Sequence, residues 1–147
     1  MPYQYGVSKA YELTSCFEGL IAYYEVTGIE KYKTAAINYG YAMLDSDVSI
    51  IGSLGCTHEL LDHTKVRQTA ERGKREQETC VTVTWMKYCA SLYRLTGDKR
   101  FADAIEVSFY NAYLGAFNTE HSESGWMAYK FRDHPEILKK LKPSFMP

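Results

Sequence analysis

Apolar side chains recur at three- and four-residue steps through positions 8–26, where Tyr11, Phe17, Leu20, Ile21 and Tyr24 fall on one stripe with no Pro and only Gly19 inside. A period near 3.6 predicts an amphipathic helix. The pattern breaks at Thr27-Gly28, and glycine can take the left-handed conformation that ends a helix. From about position 30 a second stripe follows, made of Tyr32, Ala35, Ala36, Tyr39 and Met43. Two such helices joined by a short turn predict a helical hairpin.

The unit occurs twice. YYEVTGIEKYKTAAINYGY set against LYRLTGDKRFADAIEVSFY pairs Thr27 with Thr96, Gly28 with Gly97, Tyr32 with Phe101, Ala35 with Ala104 and Tyr41 with Tyr110, at a constant offset of 69 positions. A repeated hairpin implies stacked helix pairs, because a single pair cannot bury its apolar face. The predicted fold class is therefore all-α, built from helical hairpins.

Between the hairpins, 45–77 begins with SIIGSLG and continues through the mixed polar run CTHELLDHTKVRQTAERGKREQ. It reads as a long loop, and long loops in compact domains are where chemistry is concentrated. A third helix is expected over about 79–95, although VTVT at its start also fits a strand. A fourth is expected over about 99–117. The remainder, with Pro135, Pro143 and Pro147 and a short basic EILKKLK turn, reads as irregular and exposed.

Composition narrows the partners more than the fold. In 147 residues, 17 Lys and Arg face 18 Asp and Glu for a net charge of −1, so nothing in the whole-chain charge points to a nucleic-acid backbone. The 46% hydrophobic content excludes wholesale disorder. No stretch approaches the roughly 20 apolar residues of a membrane span, and MPYQYGVSKAYELT lacks the basic-then-apolar order of a secretory signal. A cytoplasmic location is the expectation for the chain as given. Cys16, Cys56, Cys80 and Cys89 are widely spaced without a CxxC, which favours reduced thiols over a disulfide framework. Thirteen tyrosines are many for this length; they suit packed helices around a polar cleft as well as an ordinary core and its rim.

Two clusters carry candidate chemistry. His58-Glu59-Leu60-Leu61-Asp62-His63 looks like a metalloprotease zinc helix, but its histidines are five apart, about 500° of helical rotation, whereas two ligands on one face need about 400°. A zinc helix is excluded, and Glu59 is left as a candidate catalytic carboxylate. In Glu78-Thr79-Cys80 a carboxylate and a thiol two residues apart point about 200° apart within a helix, yet face one side where an extended segment enters a helix. By composition alone, Glu78 would be a dipole-favoured residue at a helix start and Cys80 a buried small hydrophobe.

The stretch ETCVTVTWMKYCASLYRLTGDKRFADAIEVSFYNAYLGAFN resembles the β-L-arabinofuranosidases of glycoside hydrolase family 127. The matching motifs are Glu78-Thr79-Cys80, Leu95-Thr96-Gly97-Asp98, Phe101-Ala102-Asp103, Glu106 and Tyr110-Asn111. AYELTSCFEGLIAYYEVTGIEKYKTA, IIGSLG and THELLDHTKVRQT resemble the family in the same order, so the likeness covers about 9–118. It implies an (α/α)6 toroid of which residues 1–147 form part. It also implies a retaining glycosidase in which a zinc-bound cysteine thiolate attacks the anomeric carbon and a glutamate protonates the leaving oxygen. Carried onto this sequence, Glu78 and Cys80 match zinc ligands and Glu59 matches the acid/base. The implied ligand is an arabinose-containing oligosaccharide.

The family's Cys-Cys pair, which supplies the nucleophile and the last zinc ligand, lies downstream of Tyr-Asn, and this sequence has no cysteine after Cys89. Cys89 is nine residues beyond Cys80, about 900° around one helix and on its opposite face. The expectation is a fragment holding part of the zinc site, with weak or no zinc binding, no activity alone, and self-association through uncovered apolar helix faces. The alternative is a helical-repeat protein-interaction or ligand-binding module, which a groove lined by Tyr39, Tyr41 and Tyr110 without an acidic cleft would favour.

Overall fold

The structure, a computed structural model, describes residues 8–70 and 77–117. The chain divides into two compact units, Met1–Leu114 and Gly115–Pro147. Only 115–117 of the second unit are described, so the expectation of an irregular tail from 118 onward lies outside the described residues.

Among the described residues the first unit holds five α-helices: α1 Ala10–Thr27, α2 Glu30–Ser46, α3 Thr64–Ala70, α4 Thr79–Thr96 and α5 Lys99–Val107. A π-helical turn, Ser108–Tyr113, continues α5. Among the described residues there is no strand, only isolated bridges, so the all-α expectation holds and VTVT is helix. No helix among the described residues is long and apolar enough to cross a membrane.

The two hairpins are equivalent down to their turn chemistry. Gly28 (φ 68°) and Gly97 (φ 70°) are both left-handed, and their amides donate to the Tyr24 and Tyr93 carbonyls at 2.7 and 2.8 Å. Before each glycine a threonine hydroxyl donates back one helical turn, Thr27 to Tyr23 and Thr96 to Leu92, both at 2.7 Å. The same hydroxyls then accept from the amides of Ile29 and Asp98. The aligned TG pair thus encodes one structural device used twice: an αL glycine stops the helix, and the threonine satisfies the turn.

Around α4 the hairpins share a core in which α1 packs on α2 and on α4. Trp85, Tyr88, Phe101, Met43 and Leu92 are fully buried. Phe17 stacks on Tyr39 with ring centroids 4.1 Å apart, and the Tyr39 hydroxyl lies 2.9 Å from that of Thr14. Burial pushes the Tyr39 and Tyr88 phenols well above the ordinary tyrosine value, and Tyr88 donates to the Ala36 carbonyl at 2.7 Å. Tyr39 is therefore core rather than the lining of a groove, whereas Tyr110 is exposed and Tyr41 donates to Asp98.

Two expectations about element ends are corrected. The segment 45–77 is not wholly loop: Thr64–Ala70 is helical, and Asp47 accepts from the amides of His63 and Thr64 at its start. The fourth helix does not run as α-helix to 117 but widens at Ser108. There the Ser108 hydroxyl lies within hydrogen-bond reach of both the Ala104 and Gly52 carbonyls, which share its one proton, and the Ala112 amide turns outward to the Ile51 carbonyl. Docking against the 49–53 turn is what takes that amide out of the regular ladder, the usual setting of a π-bulge.

Candidate active site

Glu59 sits on a tight turn, and the turn is strained. Leu60 donates its amide to Thr57 at 3.0 Å, and His58, the first of the two central residues, has φ 52°. Positive φ at that position alone is the signature of a type II′ turn, which favours glycine over a side chain. His63, at the other end of the same loop, is also left-handed, with φ 65°.

Three segments converge there. Lys9 bridges antiparallel to Leu60, the Ala10 amide donates to the Glu59 carbonyl at 2.6 Å, and the Leu61 amide donates to Ser8 at 2.9 Å, so the residues before α1 form a strap along 59–61. On the other side His58 bridges in parallel to Gln77, which brings Glu59 alongside Glu78 at the start of α4. The Lys9 ammonium pairs with both Glu59 and Glu12, and the hydrogen bond to Glu59 is the main reason it is held above the usual lysine value.

Glu78 is the N-cap of α4, in extended conformation (φ −86°, ψ 127°), and Cys80 lies in the first turn. The change from extended to helical backbone puts both side chains on one side, with the Cys80 thiol 3.5 Å from Glu78 Oε2. Cys80 is exposed, which corrects the expectation of a buried small hydrophobe. Its thiol is raised above the ordinary cysteine value by partial desolvation first, then by the hydrogen bond to Glu78 and that carboxylate's charge, with the charge of Glu59 adding to both. All three residues singled out from the sequence thus fall within one electrostatic neighbourhood.

The pair fits half of a zinc site. Bond lengths of about 2.3 Å to sulfur and about 2.1 Å to oxygen at the tetrahedral angle place two ligand atoms about 3.6 Å apart, close to the spacing found here. A carboxylate and a thiol are both zinc-type donors. The count stops at two, since among the described residues no group of three or more His, Cys, Asp or Glu side chains is disposed to hold a metal ion. Cys56 and Cys89 are buried, and burial pushes the Cys89 thiol far above its ordinary value.

Sequence spacing alone missed the strap and the parallel pairing. Nothing in the spacing joins Lys9 to Glu59, fifty residues away, and nothing requires His58 to lie beside Gln77. Histidines with no evident place in a periodic segment were the available signal, and both mark left-handed backbone in the loop that carries Glu59.

Paired helical hairpins carrying a carboxylate–thiol–carboxylate cluster at one helix start define an all-α scaffold with a zinc-type donor pair. The family described as β-L-arabinofuranosidase, GH127 catalytic domain, matches residues 6–130, and the chain belongs to that family. Carbohydrate is accordingly the class of substrate its membership implies. No curated protein and no solved structure matches the chain.

Proposed function

We propose that this chain carries the acid/base and two of the zinc ligands of a retaining glycosidase that acts on β-L-arabinofuranosides. Glu59 gives its proton to the departing oxygen and then recovers one from the water that completes the retaining cycle. Lys9, held against Glu59 by the strap, pairs with the carboxylate left once that proton has gone and fixes where it points. Glu78 and Cys80 hold the metal edge of the site. A zinc ion there would keep a coordinated thiol deprotonated and nucleophilic. The observation that carries the reading is the parallel pairing of His58 with Gln77, which sets the Glu59 turn beside the Glu78–Cys80 pair.

Of the four cysteines in the sequence, Cys80 is assigned as a ligand, Cys56 and Cys89 are buried, and Cys16 is exposed on α1; the attacking thiolate that the family resemblance implies belongs to a Cys-Cys pair downstream of Tyr110-Asn111, and this sequence has no cysteine after Cys89. The 147-residue chain is part of the toroidal domain that the family resemblance implies, and by itself it binds zinc weakly and does not turn over substrate. The test is metal analysis of the purified chain together with hydrolysis of a chromogenic β-L-arabinofuranoside. Substoichiometric zinc that falls further in Cys80→Ser, with no turnover, is the expected result. Stoichiometric zinc with turnover would show a complete site, and zinc content indifferent to both Cys80→Ser and Glu78→Ala would remove the ligand assignment.

A further inference from the structure

We infer that Asp47 is the positioning residue of the Glu59 turn, an inference that rests on Glu59 as the acid/base proposed above. Asp47 ends α2, and its side chain is fully buried. Its Oδ1 accepts from the His63 amide at 2.9 Å, the Thr64 amide at 3.1 Å and the Thr64 hydroxyl at 3.4 Å. The Ser46 hydroxyl donates to Oδ2 at 2.6 Å. Its own carbonyl accepts from the Gly55 amide at 2.9 Å. One residue therefore grips both ends of 55–64, the segment with Glu59 at its middle.

The grip falls where the segment most needs holding. Left-handed His58 and His63 each cost free energy, so the loop would relax unless its surroundings fix it. Gly55 is left-handed as well (φ 81°), and a Cβ there would lie 2.9 Å from the Leu60 carbonyl oxygen, so the ends of the turn are pressed together. A buried carboxylate that accepts several charge-assisted hydrogen bonds is a stiff anchor, and this one is rooted at the end of α2, in the hairpin core. The strap Ser8–Ala10 then closes on a turn whose place Asp47 has set. Asp47 does not touch the reacting atoms; it acts through the backbone of the loop.

Residue-resolved amide hydrogen exchange on the whole chain tests this. The reporters are Ala10, bonded to Glu59, and Leu60, which closes the turn; neither touches Asp47. In Asp47→Ala both should exchange about tenfold faster or more, together with His63 and Thr64, while Gly28 and Gly97 at the hairpin turns keep their protection. Asp47→Asn, whose side-chain oxygen can accept the same two amide bonds, should hold Ala10 and Leu60 within about twofold of the parent. If Asp47→Ala fails to fold, Asp47→Glu, which displaces the carboxylate by one methylene, takes its place with the same expected pattern. Loss confined to His63, Thr64 and α3 would overturn the inference, because Asp47 would then only cap α3. So would Asp47→Asn matching Asp47→Ala. The exchange pattern is independent of zinc and turnover, so a failed glycosidase reading would leave it intact, and a failed pattern would leave the metal and turnover results as they stand.

Discussion

Ser108 stands against Gly52 so closely that a Cβ built on the glycine would lie 2.6 Å from the Ser108 Cα. The contact is backbone to backbone, and it holds the 49–53 turn on the π-helical end of the second hairpin. Gly52 also has φ 90°, so a side chain there meets both a clash and a disfavoured backbone. Gly40 is different: a Cβ would come within 2.3 Å of Leu92 Cδ1, the far end of a side chain that can turn away. Gly40→Ala should cost about 1–3 kcal/mol by overpacking, and Gly52→Ala more. Urea denaturation of the two variants checks the order, and a reversed order would mean that the Ser108 contact yields easily.

The strain at His58 can be measured by comparing two truncations. His58→Gly and His58→Ala both remove the imidazole and whatever it touches, so they differ mainly in the tolerance of φ 52°. The glycine variant should be the more stable by about 1 kcal/mol. Equal melting temperatures would mean that the turn relaxes rather than stores strain.

Asp98 links the hairpins electrostatically. Its carboxylate takes hydrogen bonds from the Arg100 side chain, the Arg100 amide and the Tyr41 hydroxyl, and these hold its pKa far below the ordinary 3.8. A depressed carboxyl stabilises the fold above its unfolded value and loses that contribution as the pH falls below 3.8 toward the folded one. Asp98→Asn should therefore destabilise at neutral pH, modestly because the Arg100 pair faces solvent, and the difference from the parent should shrink in acid. Stability curves at several pH values provide the check; a constant gap would assign the effect to helix capping alone.

The thiols separate by exposure. Cys16 and Cys80 should alkylate in the native protein, whereas Cys56 and Cys89 should react only after unfolding. Excess zinc should protect Cys80 and leave Cys16 unchanged, and Glu78→Ala should abolish that protection. Mass spectrometry of labelled peptides reads all four sites. Protection of Cys16 equal to that of Cys80 would indicate nonspecific metal binding.

Sequence periodicity was enough to place α1, α2 and α4, because each buries a stripe at the 3.6-residue period and two end on a TG pair whose local chemistry is self-contained. Membership of the family was legible for the same reason: its motifs are short and contiguous. The facing of Glu78 and Cys80 was legible as well, since a helix start fixes both residues locally. The π-helical turn at Ser108 and the start of α3 were not legible. Each is decided by a partner more than ten residues away, Gly52 in one case and Asp47 in the other.

The sequence by itself determined the paired hairpins and the identity of the chemical groups, because these depend on interactions within a turn or two of chain. Only the tertiary structure decided that Glu59, Lys9 and the Glu78–Cys80 pair meet. Their meeting depends on the His58–Gln77 bridge, the Ser8–Ala10 strap and the buried Asp47. The bridge and the strap join backbone to backbone across distant segments, and Asp47 takes backbone amides on its carboxylate; backbone amides and carbonyls are the same in every residue, so no side-chain pattern along the chain records where they are met.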